Sequence, residues 1–243
     1  MSSGHPFTVQ KSADFGGVLM PLKFNIPEAE FRSRAKRIKA LVFDLDDTLL
    51  DSEKNIPERA LAEIHVLQEM GFFISICTAR NCSAAQYYAD QIGIKGVYSA
   101  VSGCQLVDGQ TGELLKSRSM CDRDAVCLVK FCLEQEAPFS LSIGQEGYVG
   151  GPIEPDGDYM KLRNSRKKMV DPVYSMKKLT NPEILYGQAV YKIVVHNEGF
   201  YDTLSRYIQK NIPGIQCAVT SKGVINIYPA GCDKGTGIMQ IAE

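Results

Sequence analysis

The sequence predicts an α/β protein, a doubly wound parallel (Rossmann-like) core sheet with an inserted α+β cap domain. Short apolar runs bracket a segment of helical periodicity at residues 40–77, and the same alternation recurs once more to residue 101. Beyond residue 117 strands and helices follow one another without that alternation, which separates the cap from the core. The chain has 243 residues, 44% hydrophobic and 23% charged, enough to remove roughly 70% of the unfolded surface from water. With 27 Lys+Arg against 28 Asp+Glu the formal charge is -1, which disfavours a basic nucleic-acid binder, a disordered chain or a fibre.

The first 37 residues show no sustained period and read as a leader arm; the basic stretch Arg32 to Lys39 reads as a solvated face leading into the first strand. After Lys39, the run Ala-Leu-Val-Phe-Asp-Leu is what a strand covered on both faces requires. Pro57 then opens a helix with Leu61, Ile64, Leu67 and Met70 on one stripe, and Gly71 ends it. Residues 72–77 give the second strand, so the unit is a right-handed parallel crossover. Residues 83–92 read as a helix stopped by Gly93, and 97–101 as a third strand. Residues 105–107 and 113–116 flank Asp108-Gly109-Gln110-Thr111-Gly112, a hairpin signal. A helix at 124–136, strands at 139–143, 147–149 and 189–195, a helix at 200–209 and strands at 216–220 and 224–228 follow. The expected domains are therefore a core at 38–116 and 228–243 and a cap at 117–227.

No apolar run approaches the ~18 residues needed to span a bilayer, and residues 1–10 lack a basic region followed by an apolar stretch, so the expectation is a cytoplasmic protein without a membrane partner. Eight cysteines show no C-x-x-C pair and no zinc-type spacing, and read as reduced, mostly small core residues. His5, His65 and His196 are scattered, and His65 reads as helix packing. Of Tyr87 and Tyr88, one is expected in the core and one at the surface.

In doubly wound sheets ligands sit outside the carboxyl ends of the strands. Directly after the first strand stands Asp44-Leu45-Asp46-Asp47-Thr48. A D-x-D-x-T pattern arises by accident in roughly one chain of this length in twenty. Like charges ~4 Å apart at an effective dielectric of ~20 repel by about 4 kcal/mol. A cation is therefore expected among these acids, and a hard divalent ion such as Mg²⁺ suits oxygen ligands. A solvent-exposed acidic turn or a helix cap is the plainer alternative. The second strand ends at Cys77-Thr78-Ala79-Arg80, placing a hydroxyl where it can reach a phosphoryl oxygen. Near the far end, Gly231-Cys232-Asp233-Lys234-Gly235 sets one lysine on a turn entering a helix, without the spacing of an ATP-type phosphate loop.

In order, D-L-D-D-T-L-L, I-C-T-A-R and I-N-I-Y-P-A-G-C-D-K-G resemble the haloacid dehalogenase superfamily, and among its branches the Cof-type sugar phosphatases with an inserted cap, over residues 38–243. The resemblance implies a Mg²⁺-dependent phosphomonoester hydrolase acting on small phosphorylated metabolites, sugar phosphates foremost. Asp44 would be the nucleophile that forms an aspartyl-phosphate and Asp46 the general acid/base, with the Asp44 carboxylate and the Asp46 carbonyl holding Mg²⁺. Thr78 and Lys234 would steady the phosphoryl oxygens, and Thr48 the nucleophile's turn on the phosphate side. Ser102, Gly103 and Arg80 would lie on the substrate side, with Ser102-Gly103 standing where the family usually has Asn-Gly. The family's fourth motif, G-D-x-x-N-D, has no counterpart before Glu243, so a carboxylate ligand to the metal is expected to be missing. This leaves open a fragment, a part supplied by a partner, or a degenerate relative.

Two rival functions remain: a non-catalytic phosphometabolite-binding or regulatory module, and a phosphomutase. Arg163, Arg166, Lys167 and Lys168 read as a solvated basic helix face rather than as substrate contacts, and no pattern sets an oligomeric state. Cys77 and Cys82 flank the second motif without a base to make a thiolate.

Overall fold

The computed structural model describes residues 12–15, 18–21, 30, 33, 36–144, 146–157, 176–220 and 223–243. His5, Arg32, Arg163, Arg166, Lys167 and Lys168 lie outside the described residues. The chain divides into a unit of residues Met1–Lys39 and a unit of residues Ala40–Glu243. In the first, β1 (Ser12–Phe15) pairs antiparallel with β2 (Val18–Pro21), a hairpin that the sequence, read as an arm without elements, did not announce.

In the second unit β3 (Ala40–Phe43), α1 (Glu58–Glu69) and β4 (Phe73–Ile76) form the expected crossover, with β3 and β4 parallel. The α1 stripe buries Ile64, while Met70 lies outside the helix and is 52% exposed. His65 is also exposed, on the polar side of α1, against the expectation that it packs. α2 (Cys82–Ile92) starts on Asn81, whose side chain accepts from the Ala84 amide at 2.9 Å, and stops at Gly93 with φ 72, the left-handed residue helices commonly end on.

β5 (Val97–Ala100) joins β4 through a parallel bridge between Cys77 and Ser99, and β6 (Gln105–Asp108) and β7 (Leu114–Ser117) continue antiparallel. Strand alternation fixes which helix covers which face. The Tyr98 hydroxyl donates to the Cys82 carbonyl of α2 at 3.2 Å, whereas Ser99, one residue on, lies under Gly237 of α5 (Lys234–Ala242). Helices thus cover both faces, as a doubly wound sheet requires. β3 is less covered than its apolar run suggested: Ala40 is exposed and Leu41 to Phe43 are only half-buried, because β3 pairs along one edge alone among the described residues.

The next sheet is six-stranded, in the order β10-β9-β8-β11-β13-β12. Its strands are β8 (Phe139–Ile143), β9 (Glu146–Gly150), β10 (Met176–Lys178), β11 (Ile193–Val195), β12 (Ile215–Val219) and β13 (Ile225–Pro229), all antiparallel except β9 and β10. β11 is shorter than the apolar run 189–195, since residues 189–192 lead to it without pairing. Phe139, Ile193, Val195, Ile225 and Ile227 share a core with Leu128 and Val129 of α3 (Asp122–Glu134) and Leu204 and Ile208 of α4 (Tyr201–Asn211). Phe131 of α3 stacks on Tyr207 of α4 with centroids 3.7 Å apart. A separate core gathers Leu45, Ile76, Tyr88, Ile92 and Tyr98 around the first sheet. Cys77, Cys104, Cys132 and Cys232 are buried, and every cysteine is free. Tyr88 is fully buried, while Tyr87 is 39% exposed.

After β5 the backbone turns through three consecutive left-handed residues, Val101, Ser102 and Gly103, with φ of 49, 53 and 86. A β-branched residue there is strained by about 1–3 kcal/mol. The turn is pinned by Val101 N–H to the Arg80 carbonyl (2.8 Å) and Ser102 N–H to the Thr78 carbonyl (2.9 Å). At Gly103 a Cβ would stand 2.2 Å from the Asp233 carbonyl oxygen; at Gly71, which has the same φ of 86, it would meet nothing within 4 Å. In urea melts, Gly71→Ala is expected to cost about 1 kcal/mol and Gly103→Ala about 3 kcal/mol or more, the difference measuring the backbone contact.

Candidate active site

β3 delivers Asp44 at its carboxyl end. One carboxylate oxygen accepts from the Leu45 N–H at 2.8 Å and the other meets the Lys234 ammonium at 2.5 Å, across 190 residues of sequence. Lys234 is held by the helix it begins. Asp233 caps α5, accepting from the Thr236 N–H at 2.7 Å, while the Thr236 hydroxyl accepts from the Asp233 N–H at 3.0 Å. A lysine at a helix N-terminus is opposed by the peptide dipoles, so this position favours an anion beside it, here the Asp44 carboxylate.

Asp46 lies two residues along a wide turn, Leu45–Leu49, in which Asp46 and Asp47 leave helical angles. Its carboxylate takes a two-pronged ion pair from Arg80, Nε at 2.8 Å and Nη2 at 2.9 Å, and a third contact from the Lys54 ammonium at 2.8 Å. Burial pushes its pKa up, but hydrogen bonds and charge from Arg80 and Lys54 outweigh this and hold the carboxyl well below the usual carboxylate range. Asp47 is exposed and 3.8 Å from Lys54. Three cations of the chain itself, Lys234, Arg80 and Lys54, thus meet these acids from three separate segments.

Lys54 was not singled out by sequence reasoning. It sits in a turn closed by Asp51, whose side chain accepts from the Glu53 and Asn55 N–H groups, both at 2.9 Å, and its own φ is 65. Arg80 also stacks over Tyr88 at 5.0 Å, and the Tyr88 hydroxyl donates to the Lys54 carbonyl at 2.8 Å. The two cations on Asp46 thus share one buried ring as a support.

Thr78 is 1% exposed, and its hydroxyl accepts from the Arg80 N–H at 3.1 Å, leaving its own proton to donate. The Ser102 hydroxyl lies against the Tyr228 hydroxyl at 3.1 Å, so this serine turns to the end of β13, while Gly103 seats on Asp233. Asp44 is thus paired with Lys234, and Asp46 with Arg80, whose amide donates to Thr78; Ser102 and Gly103 lie in the turn pinned to the Thr78 carbonyl. Thr48 is exposed and has no described hydrogen bond or ion pair to any of them. Burial pushes the Cys77 thiol up, which disfavours the thiolate that a nucleophile needs.

For a metal, Asp44 offers the one side-chain carboxylate suitably placed, with Asp46 bound elsewhere. Among the described residues no three His, Cys, Asp or Glu side chains cluster as a metal site. Oxygen donors of this kind suit Mg²⁺, which commonly uses one or two carboxylates with substrate oxygens and water.

Beside this set opens a cleft of about 470 Å³ between the two sheets. Asn81, Cys82 and Gln105 line one wall and Ser140, Ser142 and Lys192 the other. Lys192 reaches across it, donating to the Ala79 carbonyl at 3.0 Å, one residue from both Thr78 and Arg80. A lysine inside the apolar run 189–195 was the sequence signal for it.

The profile of the haloacid dehalogenase-like hydrolases matches residues 41–243. The chain is 23% identical over 226 residues to 5-amino-6-(5-phospho-D-ribitylamino)uracil phosphatase YwtE of Bacillus subtilis (strain 168), covering 85% of this chain and 77% of that protein. Its fold is similar to that of the subclass IIB sugar phosphatase BT4131 (TM-score 0.65, 17% identity, 84% of this chain and 74% of the other). It is also similar to SMU.1108c from Streptococcus mutans UA159 (TM-score 0.68, 16% identity, 84% and 74%). With a matching profile over nearly all of the second unit, the chain belongs to the haloacid dehalogenase-like hydrolase family.

Proposed function

We propose that this protein is a phosphomonoester hydrolase acting on small phosphorylated metabolites, sugar phosphates foremost, through an aspartyl-phosphate on Asp44. The observation that carries this is the 2.5 Å approach of Lys234 to Asp44, with Asp46 held two residues on. This supports a nucleophile beside a fixed cation for phosphoryl oxygens, with a second carboxylate two residues along the same turn.

In the proposed reaction an Asp44 oxygen bonds to phosphorus as the ester P–O bond breaks, and the leaving alkoxide takes a proton from Asp46. Water then bonds to phosphorus, giving a proton back to the Asp46 carboxylate, and the bond to Asp44 breaks to release inorganic phosphate. Lys234 and the Thr78 hydroxyl hold the phosphoryl oxygens as their charge shifts. Mg²⁺, held by the Asp44 carboxylate and the Asp46 carbonyl, would neutralise charge on the transferring group. A dianionic phosphoryl group entering at Lys234 replaces Asp44 as its partner, which frees the nucleophile. Asp46 is drawn by Arg80 and Lys54 in the ionised form, the state that activates water. To act first as an acid it must loosen one of those pairs when substrate arrives.

The close hold on Asp46 also favours a second reading, a phosphometabolite-binding module without turnover. Assays with p-nitrophenyl phosphate and Mg²⁺ separate the two: hydrolysis that falls by about 10³-fold or more in Asp44→Asn supports the enzyme. Ester binding with no Asp44-dependent hydrolysis supports the module. Chelation by EDTA is expected to abolish turnover and added Mg²⁺ to restore it; activity indifferent to chelator would remove the metal from the proposal.

Asp46 also predicts a pH dependence of stability. A carboxyl whose folded pKa lies below its unfolded value of 3.8 stabilises above that value and loses the contribution as pH falls towards the folded pKa. The thermal unfolding temperature of the wild type should therefore exceed that of Asp46→Asn at neutral pH, and the gap should narrow between about pH 5 and about pH 3. A gap that stays constant over that range would show that the two cations do not stabilise the ionised form.

A further inference from the structure

The two oxygens of Asp46 are unequally loaded. Oδ1 meets both Nη2 of Arg80 at 2.9 Å and Nζ of Lys54 at 2.8 Å, while Oδ2 meets Nε of Arg80 at 2.8 Å. A carboxylate oxygen has two acceptor directions, so Oδ1 is filled. A leaving-group oxygen must come within about 3 Å of the group that protonates it, and Oδ1 admits it only when one cation moves aside.

The two cations differ in how firmly they are held. Arg80 gives two charge-assisted bonds from one rigid plane, its side chain is 12% exposed, and its guanidinium lies 5.0 Å from the centre of the Tyr88 ring. Moving it breaks all of these at once. Lys54 gives Asp46 one bond from a flexible stem, and its side chain is 24% exposed, so water can reach the donors that it turns away. Its backbone is fixed, since its N–H donates to the Asp51 carbonyl at 3.0 Å and its carbonyl accepts from the Tyr88 hydroxyl at 2.8 Å. Only the side chain can swing.

A destination lies beside it. Asp47 Oδ1 is 3.8 Å from the Lys54 ammonium, and the Asp47 side chain is 69% exposed. Lys54 is the one ion-pair partner of Asp47 among the described residues. The Asp47 φ is 59, a backbone angle that costs glycine nothing, so a carboxylate stands where the turn itself calls for no side chain.

We infer that Lys54 is a positioning residue, a latch that holds Asp46 in the free protein and passes to Asp47 when an ester enters, opening Oδ1 to the leaving-group oxygen while Arg80 keeps the carboxylate in place. This rests on the phosphomonoesterase reading. The leaving oxygen competes for the direction that Lys54 holds, and that competition supplies the bias between the two positions. The ammonium exchanges one carboxylate for another instead of losing its ion pair, so the exchange costs little. Bond making is as proposed above: Asp46 gives its proton to the leaving oxygen as the P–O bond breaks and regains one from the attacking water. Lys54 acts only through the orientation of Asp46.

The test uses phenyl phosphate and p-nitrophenyl phosphate, of nearly equal size, whose leaving groups differ in basicity; the phenoxide is the more basic and leans more on a proton from Asp46. In Asp47→Asn the latch has nowhere to go. Its kcat/KM should fall about fivefold for phenyl phosphate and about twofold or less for p-nitrophenyl phosphate. In a Lys54→Met background the same Asp47→Asn change should have no further effect on either ester, because the residue it acts through is gone. Asp47 is exposed, so Asp47→Asn should unfold at the wild-type temperature, which separates a lost latch from a lost fold.

Equal losses for the two esters in Asp47→Asn, no loss, or a loss that persists in the Lys54→Met background would each overturn the latch while leaving Asp44-dependent hydrolysis in place. A selective loss of phenyl phosphate turnover in Lys54→Met alone would also overturn it, since a latch is not needed once Asp46 is open. Failure of the wild type to hydrolyse either ester would discard the phosphomonoesterase reading, and the latch with it.

Discussion

Everything around the candidate site depends on the neutralisation of one acidic turn. Asp44 and Asp46 repel each other along a few residues of backbone, and the fold answers by converging three cations from distant places: Lys234 from the start of α5, Arg80 from the end of β4, and Lys54 from the turn before α1. None of these contacts is local except through Lys54, so the site exists only when the strands are in register and both helices are docked. The charge pairing also sorts the two acids. Asp44 faces one lysine that a phosphoryl group can claim, whereas Asp46 is held by a rigid guanidinium and a second ammonium that share Tyr88 as a support.

Much of this was legible in the sequence because the doubly wound grammar puts chemistry at strand ends. The runs that became β3 and β4 pointed directly to Asp44 and Thr78, and Gly93 marked the end of α2. What the residues did not show follows from long-range geometry. That Arg80 and Lys54 would meet Asp46 did not show, because those distances are set by packing, not by spacing. Lys54 is in a polar turn whose left-handed backbone depends on Asp51. Thr48 looked equivalent to its neighbours in the motif, but the wide turn rotates it to the surface. β3 read as doubly covered from its composition alone, while burial depends on which strands flank it.

The cleft illustrates a second kind of hidden information. Ser140, Ser142 and Gln105 are unremarkable in the sequence, and each becomes informative only when the two sheets face each other. The sheet from β8 to β13 spends one face on α3 and α4, where Phe139, Ile193 and Ile227 pack. Its other face carries Ser140 and Ser142 beside Val194 and Met176, and the first sheet meets that face with the start of α2. Division of labour between the faces is what lets one element supply both a hydrophobic core and a wall of hydroxyls.

The seat of Gly103 on the Asp233 carbonyl limits what the chain can change. Two backbones 130 residues apart in the chain touch with only a hydrogen atom between them, at the foot of the lysine that meets Asp44. Along the cleft, side chains can change without moving any backbone contact of this kind. Position 103 offers no such latitude, because any added carbon must push α5, and with it Lys234, away from Asp44.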